Sequence, residues 1–410
     1  MKINQRLKTV LSELSWTDRL LTLIIILSIV VGILISVYVP SARDKFDSDV
    51  QLAGVGIPLA VGLIVMMIPP LCKVPWESIH KTFLQDRSLH IQLLISVVLN
   101  WVVCPLVMFG LSWMVLFNEE EYRIGIIMIG LARCIAMVLV WNELAGGDNT
   151  LCSLIVVVNS IMQIVLYAPF QIFYCYVISG TERSGTVTYS QVAESVGAFL
   201  GIPFGIALLV RLLGVLVLGE STYQKRLIPF VSPWSLIALV YTIIVIFIER
   251  GYDFIREIGS AFKCFVPLVL YFPITWFGTF YLMRFLSSYV YRRKRRYNAD
   301  DPEMTESLLC GCEKSLAMDN TRAKSKWCSA DYGEVITQTF TAASNNFELS
   351  LAIAISVYGS GSKQSIAATF GPLIEVPVLL CLTIVARLFR QCYTWRDDQD
   401  GVNMECVVAK

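Results

Sequence analysis

Charge is what this sequence has least of for its length. Lys, Arg, Asp and Glu make up 16% of its 410 residues, against 56% hydrophobic. A soluble domain carries far more charge than that. The formal net charge is +1, so there is no basic excess for nucleic acid to bind. Histidine is nearly absent: His80 and His90 both flank a loop and read as solvated or interfacial side chains. There is no zinc-type His/Cys spacing, no glycine-rich nucleotide loop and no nucleophile–base constellation, which argues against an enzyme and against a resident metal or cofactor.

What the sequence does have is long apolar runs. They read as membrane helices and not as one buried core. Ten spans are expected, near 20–39, 52–71, 91–117 (broken near Asn100 and Pro105), 124–145, 151–178 (kinked at Pro169), 192–217, 228–248, 259–285, 333–358 and 366–389. A polar loop over 287–332 separates the last two from the rest, and 390–410 forms a tail. The first span is too evenly apolar for a cleaved signal peptide and others follow it. Most Lys and Arg fall in segments that are cytoplasmic if both termini are inside, notably Arg292-Arg293-Lys294-Arg295-Arg296. The expected fold is therefore an all-α, multi-pass protein with both ends cytoplasmic. The basic run reads as a topology anchor beside anionic lipid.

Ten spans divide into five plus five, residues 20–178 and 192–389. A coarser cut in the Leu218–Leu227 loop leaves 1–217 as the first repeat plus the first span of the second. An odd number per half makes the repeats inverted, as in many secondary transporters. Span four carries Arg133, Cys134 and Asn142 inside a greasy stretch, and span nine carries Ser344, Asn345, Asn346 and Glu348. Interrupted helices at corresponding positions point to a binding site, because broken ends offer free N–H and C=O groups.

Glu348 is the first candidate for proton coupling. Burial of a lone carboxylate disfavours its charge, so it can take up and release a proton; the alternative is a permanent ion pair with Arg133. Glu375, four residues after Gly371 and two before Pro377, is the second. Cys134 sits at the polar break beside Arg133, whose charge would favour a thiolate with a preference for soft ligands. Cys72, at the end of span two, could meet such a ligand as it enters. Asn142, Asn159, Asn345 and Asn346 offer amides to a hydroxylated substrate. Cys310, Cys312 and Cys328 in the loop and Cys392 and Cys406 in the tail read as reduced cytosolic thiols.

These residues carry a resemblance. Leu131-Ala-Arg-Cys134-Ile-Ala-Met-Val, Trp141-Asn142, Ala145-Gly-Gly-Asp-Asn149, Ala343-Ser-Asn-Asn-Phe-Glu348-Leu and Ala368-Thr-Phe-Gly-Pro-Leu-Ile-Glu375-Val-Pro resemble the arsenite efflux permease family. Val65-Met-Met-Ile-Pro-Pro-Leu-Cys72 and Leu166-Tyr-Ala-Pro-Phe-Gln-Ile-Phe-Tyr-Cys175 resemble its fungal members. The resemblance covers all ten spans but not the 287–332 loop or the last dozen residues. It implies a bile-acid-symporter-like fold with a panel, a core and crossing broken helices in spans four and nine. It also implies plasma-membrane efflux of arsenite, and of antimonite, in exchange for protons. Its essential cysteine falls on Cys134 and its essential glutamate on Glu348; other sensitive positions fall on Arg133, Asn159 and Glu375. Two rival readings stay open: a sodium-coupled organic-anion carrier using Arg133, and a membrane metalloid sensor using the loop cysteines.

Overall fold

The computed structural model describes residues 16–46, 50–76, 87–180, 188–256, 258–299, 330–359, 361–393 and 395. They are almost entirely helical. In chain order the main helices are α1 (Trp16–Tyr38), α2 (Ile57–Lys73), α3 (Arg87–Val98 continued by Leu99–Val103 and Cys104–Val115), α4 (Glu120–Leu131), α5 (Met137–Ala145), α6 (Asn149–Ile172 continued by Phe173–Ile178), α7 (Tyr189–Val196, Gly197–Gly201 and Ile202–Leu218), α8 (Ile228–Arg256), α9 (Ile258–Ala299), α10 (Tyr332–Ala343), α11 (Phe347–Tyr358) and α12 (Lys363–Cys392). A two-stranded ribbon, Gln51–Leu52 with Val55–Gly56, precedes α2.

Among the described residues six helical stretches are long and apolar enough to cross a membrane, and α1, α2 and α11 contain shorter apolar helices. Their packing forms two groups. In one, α8 lies on α1 and α2, and α7 on α2. In the other, α9 packs on α3, α10 and α12, while α12 also holds α4 and α11. Outward faces stay apolar (Leu213, Leu216 and Val217 on α7; Leu94 and Val102 on α3), as lipid contact requires.

Several sequence expectations change. Span two begins with the ribbon, so its helix starts at Ile57. Span three is not broken at Asn100: the chain widens into a π-type turn, and the Asn100 amide donates back to the Ser96 carbonyl at 2.9 Å. Pro105 sits in the first turn of the next segment, where its missing N–H costs nothing. Span eight does not stop near Phe285; α9 runs through the basic stretch to Ala299. Cys310, Cys312, Cys328, Cys406 and His80 lie outside the described residues.

Candidate functional site

Spans four and nine are each two half-helices. α4 ends at Leu131 and α5 starts at Met137; α10 ends at Ala343 and α11 starts at Phe347. The two breaks meet. Arg133 and Asn345 form an isolated antiparallel backbone bridge, and the Asn346 N–H donates to the Ala132 carbonyl at 3.0 Å. Non-helical backbone is tolerated at membrane depth only where protein satisfies it, and here each break does so for the other.

The crossing has two electrically distinct sides. The C-terminal ends of α4 and α10, where free carbonyls carry partial negative charge, converge on the fully buried Arg133. Its guanidinium donates to the Gly130 carbonyl (2.6 Å), the Ala342 carbonyl (3.4 Å), the Tyr271 hydroxyl (3.2 and 3.3 Å) and the Asn345 amide oxygen. The Arg133 backbone N–H donates to Gln163 on α6 at 2.5 Å. Arg133 is thus held by neutral oxygens, and neither an ion pair with Glu348 nor a contact with the Cys134 thiol is formed.

The opposite side presents the N-terminal, partially positive ends of α5 and α11. Cys134 accepts from the Val138 N–H at 3.2 Å, so the α5 amides, not Arg133, contact its sulfur. Glu348 occupies the first turn of α11, which Asn346 caps by accepting from the Leu349 N–H at 3.1 Å. Glu375 comes from α12, between Pro372 and Pro377. Cys134, Glu348 and Glu375 lie within electrostatic reach of one another. One oxygen of Glu348 and both of Glu375 are buried without a hydrogen-bond partner of good geometry; the Asn345 backbone N–H is among the groups that act on Glu375. Buried polar atoms left this way mark a site with work to do. Gly371 permits the approach of α11, since a side chain there would meet the Phe347 Cβ at 2.6 Å.

A cleft of about 460 Å³ runs between the two helix groups. Pro69, Pro70 and Lys73 of α2 form one wall and Ala136, Met137 and Glu143 another, with the start of α8 completing it. Ala136 and Met137 in its wall follow Cys134 by two and three residues.

Other expected residues fall elsewhere. Asn142 accepts from Thr337 at 2.8 Å and donates to Asn149 at 2.9 Å, locking the far end of α5 to α10. Asn159 accepts from the Trp101 indole at 3.1 Å, with its amide nitrogen unpaired. Cys72 is fully buried between the cleft-lining Pro70 and Lys73, with its sulfur 3.8 Å from the Ala207 carbonyl. Sequence reasoning missed Tyr271 of α9, the hydroxyl that bridges Arg133, Ala342 and Asn345; its only signal was a phenol in a proline-flanked apolar span.

A family model, the sodium bile acid symporter family, matches residues 60–257. The chain is 33% identical over 375 residues to the arsenical-resistance protein Acr3 of Corynebacterium glutamicum, covering 90% of this chain and 89% of that one. It is 25% identical over 405 residues to an uncharacterized transporter of Synechocystis, covering 94% and 92%. With the arsenical-resistance protein Acr3 of Alkaliphilus metalliredigens it shares 23% over 386 residues, covering 92% and 94%.

Proposed function

The chain belongs to the family of the Acr3 arsenical-resistance proteins, within the wider sodium bile acid symporter family, and on that premise we propose that it exports trivalent arsenite, and antimonite, from the cytosol in exchange for protons. The family is one of transporters, not enzymes, and this chain is a multi-pass membrane member of it. The carrier has ten spans in two inverted five-helix repeats, residues 20–178 and 192–389, sits in the plasma membrane and keeps both termini in the cytosol.

One observation carries the reading: a thiol and two carboxylates lie close together at two helix breaks, a few residues from a cleft that Ala136 and Met137 line. Arsenite at neutral pH is uncharged, hydroxylated and thiophilic. It enters through the cleft from the cytosolic side and meets Cys134, a soft donor polarised by the α5 amides. A single thiol gives a contact weak enough to release. Glu348 is deprotonated while substrate is loaded and protonated from outside to reset the carrier, with Glu375 sharing its field. Arg133, Asn345 and Asn346 hold the crossing in shape, while Asn142 and Asn159 fix the helices around it. The sodium-coupled anion reading loses support because both Nη groups of Arg133 are already committed to Gly130, Tyr271, Ala342 and Asn345, which leaves only its Nε–H without a partner.

The test is arsenite uptake into inverted vesicles under an imposed pH gradient, repeated with sodium replaced. Uptake that follows the pH gradient and ignores sodium supports the reading. Uptake that needs sodium, or none at all, overturns it.

A further inference from the structure

The cleft described above lies on the α5 side of the crossing; the opposite side is bounded by α6 and α11. α6 begins at Asn149, just past the end of α5 that lines the cleft, and runs beyond the crossing to Ile178. α11 starts at the crossing and ends at Tyr358 on that same far side. Both helices carry polar groups along this stretch, where packing alone would call for none.

On α6 the residues Gln163, Tyr167 and Gln171 recur every fourth position, on one face, and all three are fully buried. Gln163 meets the Arg133 backbone at the crossing and leaves its amide nitrogen unpaired. One turn on, the Tyr167 hydroxyl donates to the Met128 carbonyl at 3.2 Å, and the Ser350 hydroxyl of α11 donates to the same carbonyl at 3.1 Å. One turn further, both polar atoms of Gln171 are buried without a hydrogen bond of good geometry, beside the Tyr358 hydroxyl. Tyr358 and Tyr176 then pair their hydroxyls at 2.6 Å, and Ser356 and Ser195 do the same at 2.6 Å, both pairs only part-buried. The row therefore starts at the crossing, touches α11 at Ser350, two residues after Glu348, and ends at a part-buried pair in which Tyr176 is buried and Tyr358 is partly exposed.

We propose that the row Gln163–Tyr167–Ser350–Gln171–Tyr358–Tyr176 is the route by which protons reach Glu348 from the face opposite the cleft. Burying the Gln163 amide nitrogen and the whole Gln171 amide without good hydrogen bonds in an apolar bundle is costly unless they are used. Hydroxyls both donate and accept, so each passes on its own proton as it receives the next, and the amides order water between them. A hydronium ion at the Tyr358–Tyr176 end gives up one proton and leaves as water; the Glu348 carboxylate gains that proton at the inner end. The charged and titratable groups facing Glu348 are Glu375 from α12 and Cys134 from the α4–α5 break; Arg133 is turned onto Tyr271 and Asn345. Along the row, Cys175 is the nearest other titratable group, and Arg123 is turned onto Trp113 and the Leu116 and Phe117 carbonyls.

This inference rests on the proposed arsenite–proton exchange, and the experiment separates the two. Full-length protein in proteoliposomes carries arsenite in two modes: net flux driven by a pH gradient, and arsenite–arsenite counterflow, which needs no proton delivery. In Gln171→Met and Tyr358→Phe the gradient-driven flux is expected to fall by about tenfold or more while counterflow persists, as expected for the loss of a proton-transfer group. Preserved counterflow also certifies folding. Gradient-driven flux at the parent rate in both variants overturns the route, as does loss of counterflow in Tyr358→Phe, which would mean a packing role. If the parent protein itself shows counterflow but no pH-driven flux, the proton-exchange reading fails instead.

Discussion

Arg133 and Asn345, 212 positions apart, are joined twice: by a backbone bridge between the two helix breaks and by the guanidinium donating to the Asn345 amide oxygen. The pair sets the guanidinium against the carbonyl ends of α4 and α10, while the amide ends of α5 and α11 lie on the side of Cys134 and Glu348.

Arg133→Lys removes this clamp. A lysine ammonium cannot span Gly130, Tyr271, Ala342 and Asn345 together as the planar fork does. The expected cost is about 3 kcal/mol or more, as for a broken buried polar network. Thermal unfolding of the detergent-solubilised protein should show a lower Tm, with transport lost.

Cys134→Ser keeps an acceptor for the Val138 N–H but removes the soft ligand. Stability should change by less than about 1 kcal/mol, the size of a single hydrogen-bond adjustment. Arsenite efflux should fall at least about tenfold, equivalent to losing roughly 1.4 kcal/mol of transition-state stabilisation. Paired unfolding and flux measurements separate the two effects.

Glu348→Gln fixes the side chain in a neutral state. In the parent protein, acidifying the far face should speed gradient-driven efflux and making it alkaline should slow it, because the reset step consumes a proton there. The neutral side chain mimics the reset state, so the variant should show a flat response to far-side pH with net efflux lost. A parent-like pH response would remove Glu348 from the coupling step.

Gly125→Val tests the packing of α4 on α12. A Cβ at Gly125 would meet the Gln364 carbonyl at 2.5 Å and the Ala367 Cβ at 2.7 Å, and backbone cannot step aside cheaply. Destabilisation of about 1–3 kcal/mol is expected from overpacking, read as a lower Tm.

Both breaks are legible in the sequence. Arginine and consecutive asparagines inside apolar runs have no place on a lipid-facing helix, so Arg133, Cys134, Asn345 and Glu348 stand out. What cannot be read there is direction. Asn142 looks like Asn345 in sequence, yet one locks a helix end onto Thr337 and the other builds the crossing. Arg133 and Cys134 show the same thing: neighbours in sequence take different hydrogen-bond partners once the backbone leaves the helix, the guanidinium those of α10 and Tyr271, the sulfur the Val138 N–H. Gln171 and Tyr167 gave no signal singly, since isolated polar residues are common; their meaning lies in a shared face and a neighbouring helix. The reach of α9 past residue 287 was hidden because polar composition marks the end of a membrane span, not the end of a helix.

The bond from Asn346 to the Ala132 carbonyl also sets an order of assembly. One strand of the crossing is synthesised long before the other. Until the segment after residue 344 is inserted, the α4–α5 break has unsatisfied backbone in an apolar setting and Arg133 lacks its amide partner. The crossing therefore closes only once both halves of the chain are in place.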